Sequence, residues 1–166
     1  MKRALVVAAL ALLSACVVVP VPATVLSTSD AATRASGGTV ANTTPAFTTL
    51  INNFRSAQGQ GALVQDAALT RAAQLHAQDM VARGYFSHEA QNGPNGRTFK
   101  QRAVAAGCAM NSGAENIAQG QRTEAEVMNA WANSAGHRRN MLGRSYTRYG
   151  LGRAGDNWVL VLSSGC

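Results

Sequence analysis

Apolar positions recur at helical spacing across the middle of the chain and give way to two short apolar runs near its C-terminus. Thr44 is placed to cap a first helix, Pro45 suits its first turn, and Phe47, Leu50, Ile51 and Phe54 fall at i, i+3, i+4 and i+7. Gly59 and Gly61 end it. A second helix is expected from about Asp66 to Arg83, stopped by Gly84, with Leu69, Ala73, His76 and Met80 on one face. Thr98 and Gln101 have capping-box spacing ahead of a third helix that buries Phe99, Arg102, Ala103 and Ala106 before Gly107. Thr123 and Glu126 repeat the device for a fourth, with Val127, Ala130 and Trp131 inward. A short fifth helix runs from His137 to Leu142 and stops at Gly143. The period then changes. Tyr149–Arg153 and Trp158–Leu162, joined by Ala154-Gly155-Asp156-Asn157, read as an antiparallel hairpin, and Asn116–Ala118 as a third strand. Helices around a small antiparallel sheet make an α+β domain, layered as α-β-α, over residues 44–166.

The pattern is different before residue 44. Lys2 and Arg3 precede ten apolar residues, Ala4–Leu13, which is the layout of a secretory signal and too short to span a bilayer. Leu13-Ser14-Ala15-Cys16 looks like a lipobox, so residues 1–15 read as a signal peptide and Cys16 as a lipidation site anchoring the chain to a membrane. The alternative is ordinary cleavage further on, as after Ala23. Residues 17–43 hold a Val/Pro run and then a Thr, Ser, Ala and Gly mixture without a sustained period, and read as a flexible tether. The expected location is the bacterial cell envelope, or the exterior if no anchor is attached.

Export changes the cysteine arithmetic. With Cys16 spent on lipid, Cys108 and Cys166 remain, and an oxidising compartment favours pairing over two free thiols. Such a bridge closes a loop of about 59 residues and is worth roughly 4 kcal/mol on a chain-entropy model. The formal charge of +7 also changes: loss of Lys2 and Arg3 from the 15 basic residues leaves 13 against 8 acidic ones, a net +5. No nucleic-acid motif and no aromatics interleave the basic residues, so nucleic acid is not an expected partner. For an exported chain, anionic head groups or wall polymers are nearer at hand, and a plain solvated basic face is the default.

The chain has three histidines, His76, His88 and His137. His88 follows a helix end, His137 lies between two helices and Glu115 opens a strand, all at element ends where functional groups are commonly displayed. Their separations carry no metal signature. His76 shares an apolar helical face and reads as a satisfied core histidine, Trp131 as a core anchor, and Asn116 and Asn140 as groups satisfying backbone.

Gly84-Tyr85-Phe86-Ser87-His88, Glu115-Asn116-Ile117-Ala118-Gln119-Gly120 and Trp131-Ala132-Asn133-Ser134-Ala135-Gly136-His137-Arg138-Arg139-Asn140-Met141-Leu142 resemble successive signatures of the CAP superfamily of secreted proteins. Tyr149-Gly150-Leu151-Gly152 and Trp158 extend the likeness to the closing hairpin, and short bacterial members are the most similar. The resemblance implies an α-β-α sandwich with a central cleft where His88, Glu115 and His137 converge. It also implies a departure, since Ser134 stands where many relatives carry a second glutamate. Two imidazoles and one carboxylate make a candidate site for zinc or another divalent metal with an open position. The plainer reading of the trio is a hydrogen-bonded polar cluster without metal.

The family includes sterol-, lipid- and protein-binding members, so the resemblance implies a non-catalytic binding domain whose ligand is a lipid, a small hydrophobe, wall material or a protein. The alternative is a metal-dependent, peptidase-like hydrolase using His88, His137 and Glu115. A third reading is a structural surface module with a vestigial cleft.

Overall fold

The computed structural model describes residues 46–166; the expected signal segment, lipobox, tether and Thr44–Pro45 helix start all lie outside the described residues. The element order is α1 (Phe47–Ser56), β1 (Val64–Gln65), α2 (Ala67–Arg83), α3 (Phe99–Ala105), β2 (Gly113–Gln119), α4 (Glu124–Ala132), α5 (Ala135–Met141), β3 (Arg148–Ala154) and β4 (Asn157–Ser163).

The helix ends follow their local chemistry. Asp66 accepts the backbone N–H groups of Ala68 and Leu69 at the start of α2, and Gly84 closes that helix at φ 66°, a conformation cheap only for glycine. Thr98 and Gln101 form the reciprocal box at α3. At α4 the box is half made: Thr123 accepts Glu126 N–H, but the Glu126 carboxylate turns to the backbone N–H of Arg122.

The sheet order is β1-β3-β4-β2. The β3–β4 hairpin and the β4–β2 pair are antiparallel as expected, whereas β1 runs parallel to β3. Two residues carry no readable period, so β1 has no sequence signal. Strand β4 lies inside the sheet with every residue buried, because both of its faces are covered by helices. Trp158, Leu160 and Leu162 point into a core shared with Phe47, Ile51, Val127, Trp131 and Met141 of α1, α4 and α5. Val159 and Val161 point the other way, onto Leu69, Ala73 and Ala77 of α2 and Ala103 of α3. This alternation builds the α-β-α sandwich.

Two glycines set the spacing of one layer. A Cβ on Gly150 would lie 2.1 Å from the Leu69 carbonyl carbon, and one on Gly152 2.3 Å from the Gln74 nitrogen. The backbone of α2 therefore rests directly on β3, beside Val161 and Val159 of the neighbouring strand. The Cys108–Cys166 disulfide is formed, with Cys108 fully buried, and it ties the end of the chain to the segment after α3.

Candidate functional site

Glu115 is the third residue of β2, and only 2% of its side chain meets solvent. A carboxylate so buried must be compensated. Its Oε2 takes a charge-assisted hydrogen bond of 2.7 Å from Arg102, whose own side chain is 3% exposed. Arg102 comes from the buried face of α3. It also donates to the carbonyls of Arg97 at 2.7 Å and His88 at 3.1 Å, so one guanidinium binds α3, the loop after α2 and β2 together.

The other oxygen of Glu115 receives His88 Nδ1–H at 2.9 Å. A carboxylate only accepts, so this bond places a proton on Nδ1 and, in the neutral ring, leaves Nε2 as a free acceptor; the side chain is 52% exposed. The loop carrying His88 is held from below as well. Buried His76 donates Nε2–H to the Ser87 carbonyl at 3.0 Å, and Tyr85 O–H bonds Asp79. The Tyr85 hydroxyl is pushed up to about 12 by burial and by that carboxylate. Glu89, the acidic neighbour of His88, turns to Arg97 instead.

His137 arrives on the first turn of α5. Asn116, next to Glu115 on β2, donates Nδ2–H to the His137 carbonyl at 3.1 Å, and Asn140 donates to Asn116 Oδ1 at 2.9 Å. These two asparagines clamp α5 to the strand. The pKa of His137 is lowered, first by burial and second by the neighbouring charge of His88, so the two imidazoles sense one another. Ser134 is the residue before α5 and makes no side-chain cap bond.

The structure therefore gathers His88, Glu115 and His137 into one neighbourhood, but it does not assemble them as three metal ligands. Among the described residues no group of three His, Cys, Asp or Glu side chains is placed to hold an ion. The physical reason is Arg102: with one oxygen of Glu115 paired to a guanidinium and the other to His88, the carboxylate orients the histidine. Sequence reasoning put Arg102 on a buried helical face without seeing its partner. The signal was a charged residue at a core position, which a fold must neutralise. His76 is buried as expected. It is satisfied at one nitrogen only, since Nδ1 has no hydrogen-bond partner among the described residues.

The model of the CAP family, the cysteine-rich secretory protein family, matches residues 48–161. The chain belongs to the CAP family. It is 38% identical over 112 residues to the uncharacterized protein YkwD of Bacillus subtilis (strain 168), covering 66% of this chain and 42% of that one. The chain thus spans less than half the length of that curated relative. Among solved structures it is similar to an extracellular protein containing an SCP domain from Bacillus anthracis, with TM-score 0.66 and 27% identity over 70% of this chain and 38% of the other. It shares its fold with an outer surface protein of Borrelia burgdorferi, with TM-score 0.63 and 22% identity over 71% and 89% of the two chains.

Within this CAP domain each signature segment has a structural task. Gly84–His88 turns the chain out of α2 and delivers His88. Glu115–Gln119 forms most of β2, and Trp131–Met141 spans the α4–α5 corner that delivers His137. Trp131 is fully buried and donates Nε1–H to the Ile117 carbonyl, closing the outer edge of β2.

Proposed function

We propose that this chain is an exported, envelope-associated CAP protein that binds a ligand without turning it over, through the surface organised by His88, Glu115 and His137. Arg102 and His88 occupying the two oxygens of Glu115 is the observation that carries this reading. A hydrolase would need that acid as general base or metal ligand, and here it is already spent on positioning. What remains for a ligand is a half-exposed imidazole acceptor and its partner histidine. The extracellular description of the Bacillus anthracis relative supports export, and the lipobox at Cys16 supports an anchor to the membrane. Lipid, small hydrophobes, wall polymers and proteins are the ligand classes to test.

Native mass spectrometry of the protein purified from its own membrane without chelator tests binding and anchoring together. The expected spectrum carries acyl mass on Cys16 and a co-purifying molecule that is absent from the His88→Ala/His137→Ala variant. A peptide panel assayed with added zinc tests the rival. Zinc-dependent turnover lost in that double variant would overturn the non-catalytic reading.

One observation favours a second reading. Glu115 fixes His88 with Nε2 outward, which is the arrangement that prepares a histidine for metal. His88 and His137 would then hold a divalent ion through two nitrogens, and such an ion supplies polarisation of a bound water. Calorimetric titration with zinc at pH 7.5, compared with the double variant, decides this point.

A further inference from the structure

We propose a second ligand site, separate from the histidine cluster: a groove beside the β3–β4 turn that takes a small organic cation with an apolar body. The groove is open on one side and has a volume of about 590 Å³. Val81 and Phe86 form one wall, from the end of α2 and the residues after it, and Gln119, Asp156 and Asn157 form the other. Neither His88, Glu115 nor His137 lines it.

Two independent features define the occupant. The first is exposed apolar surface: Phe86 is 46% and Val81 51% exposed, and both border this groove. Covering them is favourable at about 25 cal/mol per Å².

The second feature is charge. Asp66, Asp79, Glu89 and Glu115 each face an arginine. Glu124 and Glu126 sit in the first turn of α4, where the helix dipole favours them. Asp156 has neither compensation among the described residues, although the chain carries a formal +7. An ammonium group answers the carboxylate and gains from the Phe86 ring, while its apolar body covers Val81. A carboxylate ligand meets repulsion at the same place.

The test is a titration of the ¹⁵N-labelled full chain with phenethylamine, 2-phenylethanol and 3-phenylpropanoate, followed by backbone amide shifts. Phenethylamine should give saturable shifts at Phe86, Gln119 and Gly155–Asn157, with the alcohol and the acid weaker by about fivefold or more. Asp156→Asn and Phe86→Ala should each lose about fivefold in affinity for the amine. Glu124→Gln, a half-buried charge outside the groove, should lose nothing. The spectrum itself reports whether each variant is folded. No saturation, equal binding of the alcohol, indifference to Asp156→Asn, or shifts centred on His88 and His137 would each overturn the proposal.

Discussion

Arg102 and Glu115 meet at 2.7 Å with both side chains almost wholly out of water, and His88 is held by both of them, through its carbonyl and its ring. The pair is therefore the foundation of the candidate site as well as a link between α3 and β2. Removing one partner leaves an uncompensated buried charge. Arg102→Met should cost about 3–5 kcal/mol in urea denaturation. Arg102→Met/Glu115→Leu should be less destabilised than Arg102→Met alone, because the second change removes the stranded carboxylate. A double variant that is the less stable of the two would contradict this account.

His76 gives the fold an acid-sensitive support beneath the site. Burial lowers its pKa most strongly and Arg102 adds to the effect, against the raising influence of Glu115, the Ser87 carbonyl and Asp79. The native state therefore resists a proton that the unfolded chain accepts at its ordinary pKa of ~6.5. Above that pH both states are neutral and nothing is lost. As pH falls below it, stability declines by up to about 1.4 kcal/mol per pH unit until the folded ring also protonates. Urea denaturation between pH 7.5 and 5 should show this decline, and His76→Gln should flatten it, with a smaller slope persisting from His137, whose pKa is lowered too.

Gly150 is where α2 touches the sheet without an intervening side chain. Gly150→Ala places a methyl 2.1 Å from helix backbone, which cannot move as a side-chain tip can. A loss of about 3 kcal/mol or more is expected in thermal or urea denaturation. Gly136→Ala is the control, since a Cβ there meets nothing within 4 Å. Equal stability of the two variants would mean that the layers can separate freely.

The Cys108–Cys166 bridge spans a sequence separation of 58. Replacing both cysteines by alanine should lower stability by roughly 4 kcal/mol on the loop-entropy model, with the fold retained at low temperature. Denaturant midpoints with and without reductant measure it in the unmodified protein. A reductant effect near zero would place the constraint elsewhere.

Local signals were sufficient for much of this. The spacing of Leu69, Ala73, His76 and Met80, the Asp66 and Thr98 caps and the Gly84 stop are properties of a few neighbouring residues, and α2 and α3 formed where those residues require them. The signature segments likewise carried the family and brought attention to His88, Glu115 and His137 before any distance was known. Arg55 shows the opposite case. It is fully buried, and it donates to the carbonyls of Gly61, Met141, Gly143 and Tyr146, three of them more than 80 residues away. Its spacing from Phe47 and Ile51 puts it on the buried face of α1, but nothing in FTTLINNFRS says which carbonyls receive its N–H groups.

Residue order by itself determined the helices and the hairpin, because periodicity, capping and turn chemistry act over short stretches; the cysteine pair came from a count with Cys16 set aside, and the members of the histidine cluster from the resemblance to the CAP signatures. Tertiary structure alone decided what Glu115 does. Whether a carboxylate is a metal ligand, a base or a prop for a histidine depends on which charges reach it through space, and the charge that reaches this one is Arg102 from another helix. The parallel β1 and the groove between Phe86 and Asp156 have the same origin, since a two-residue strand and a groove wall exist only relative to what the folded chain sets beside them.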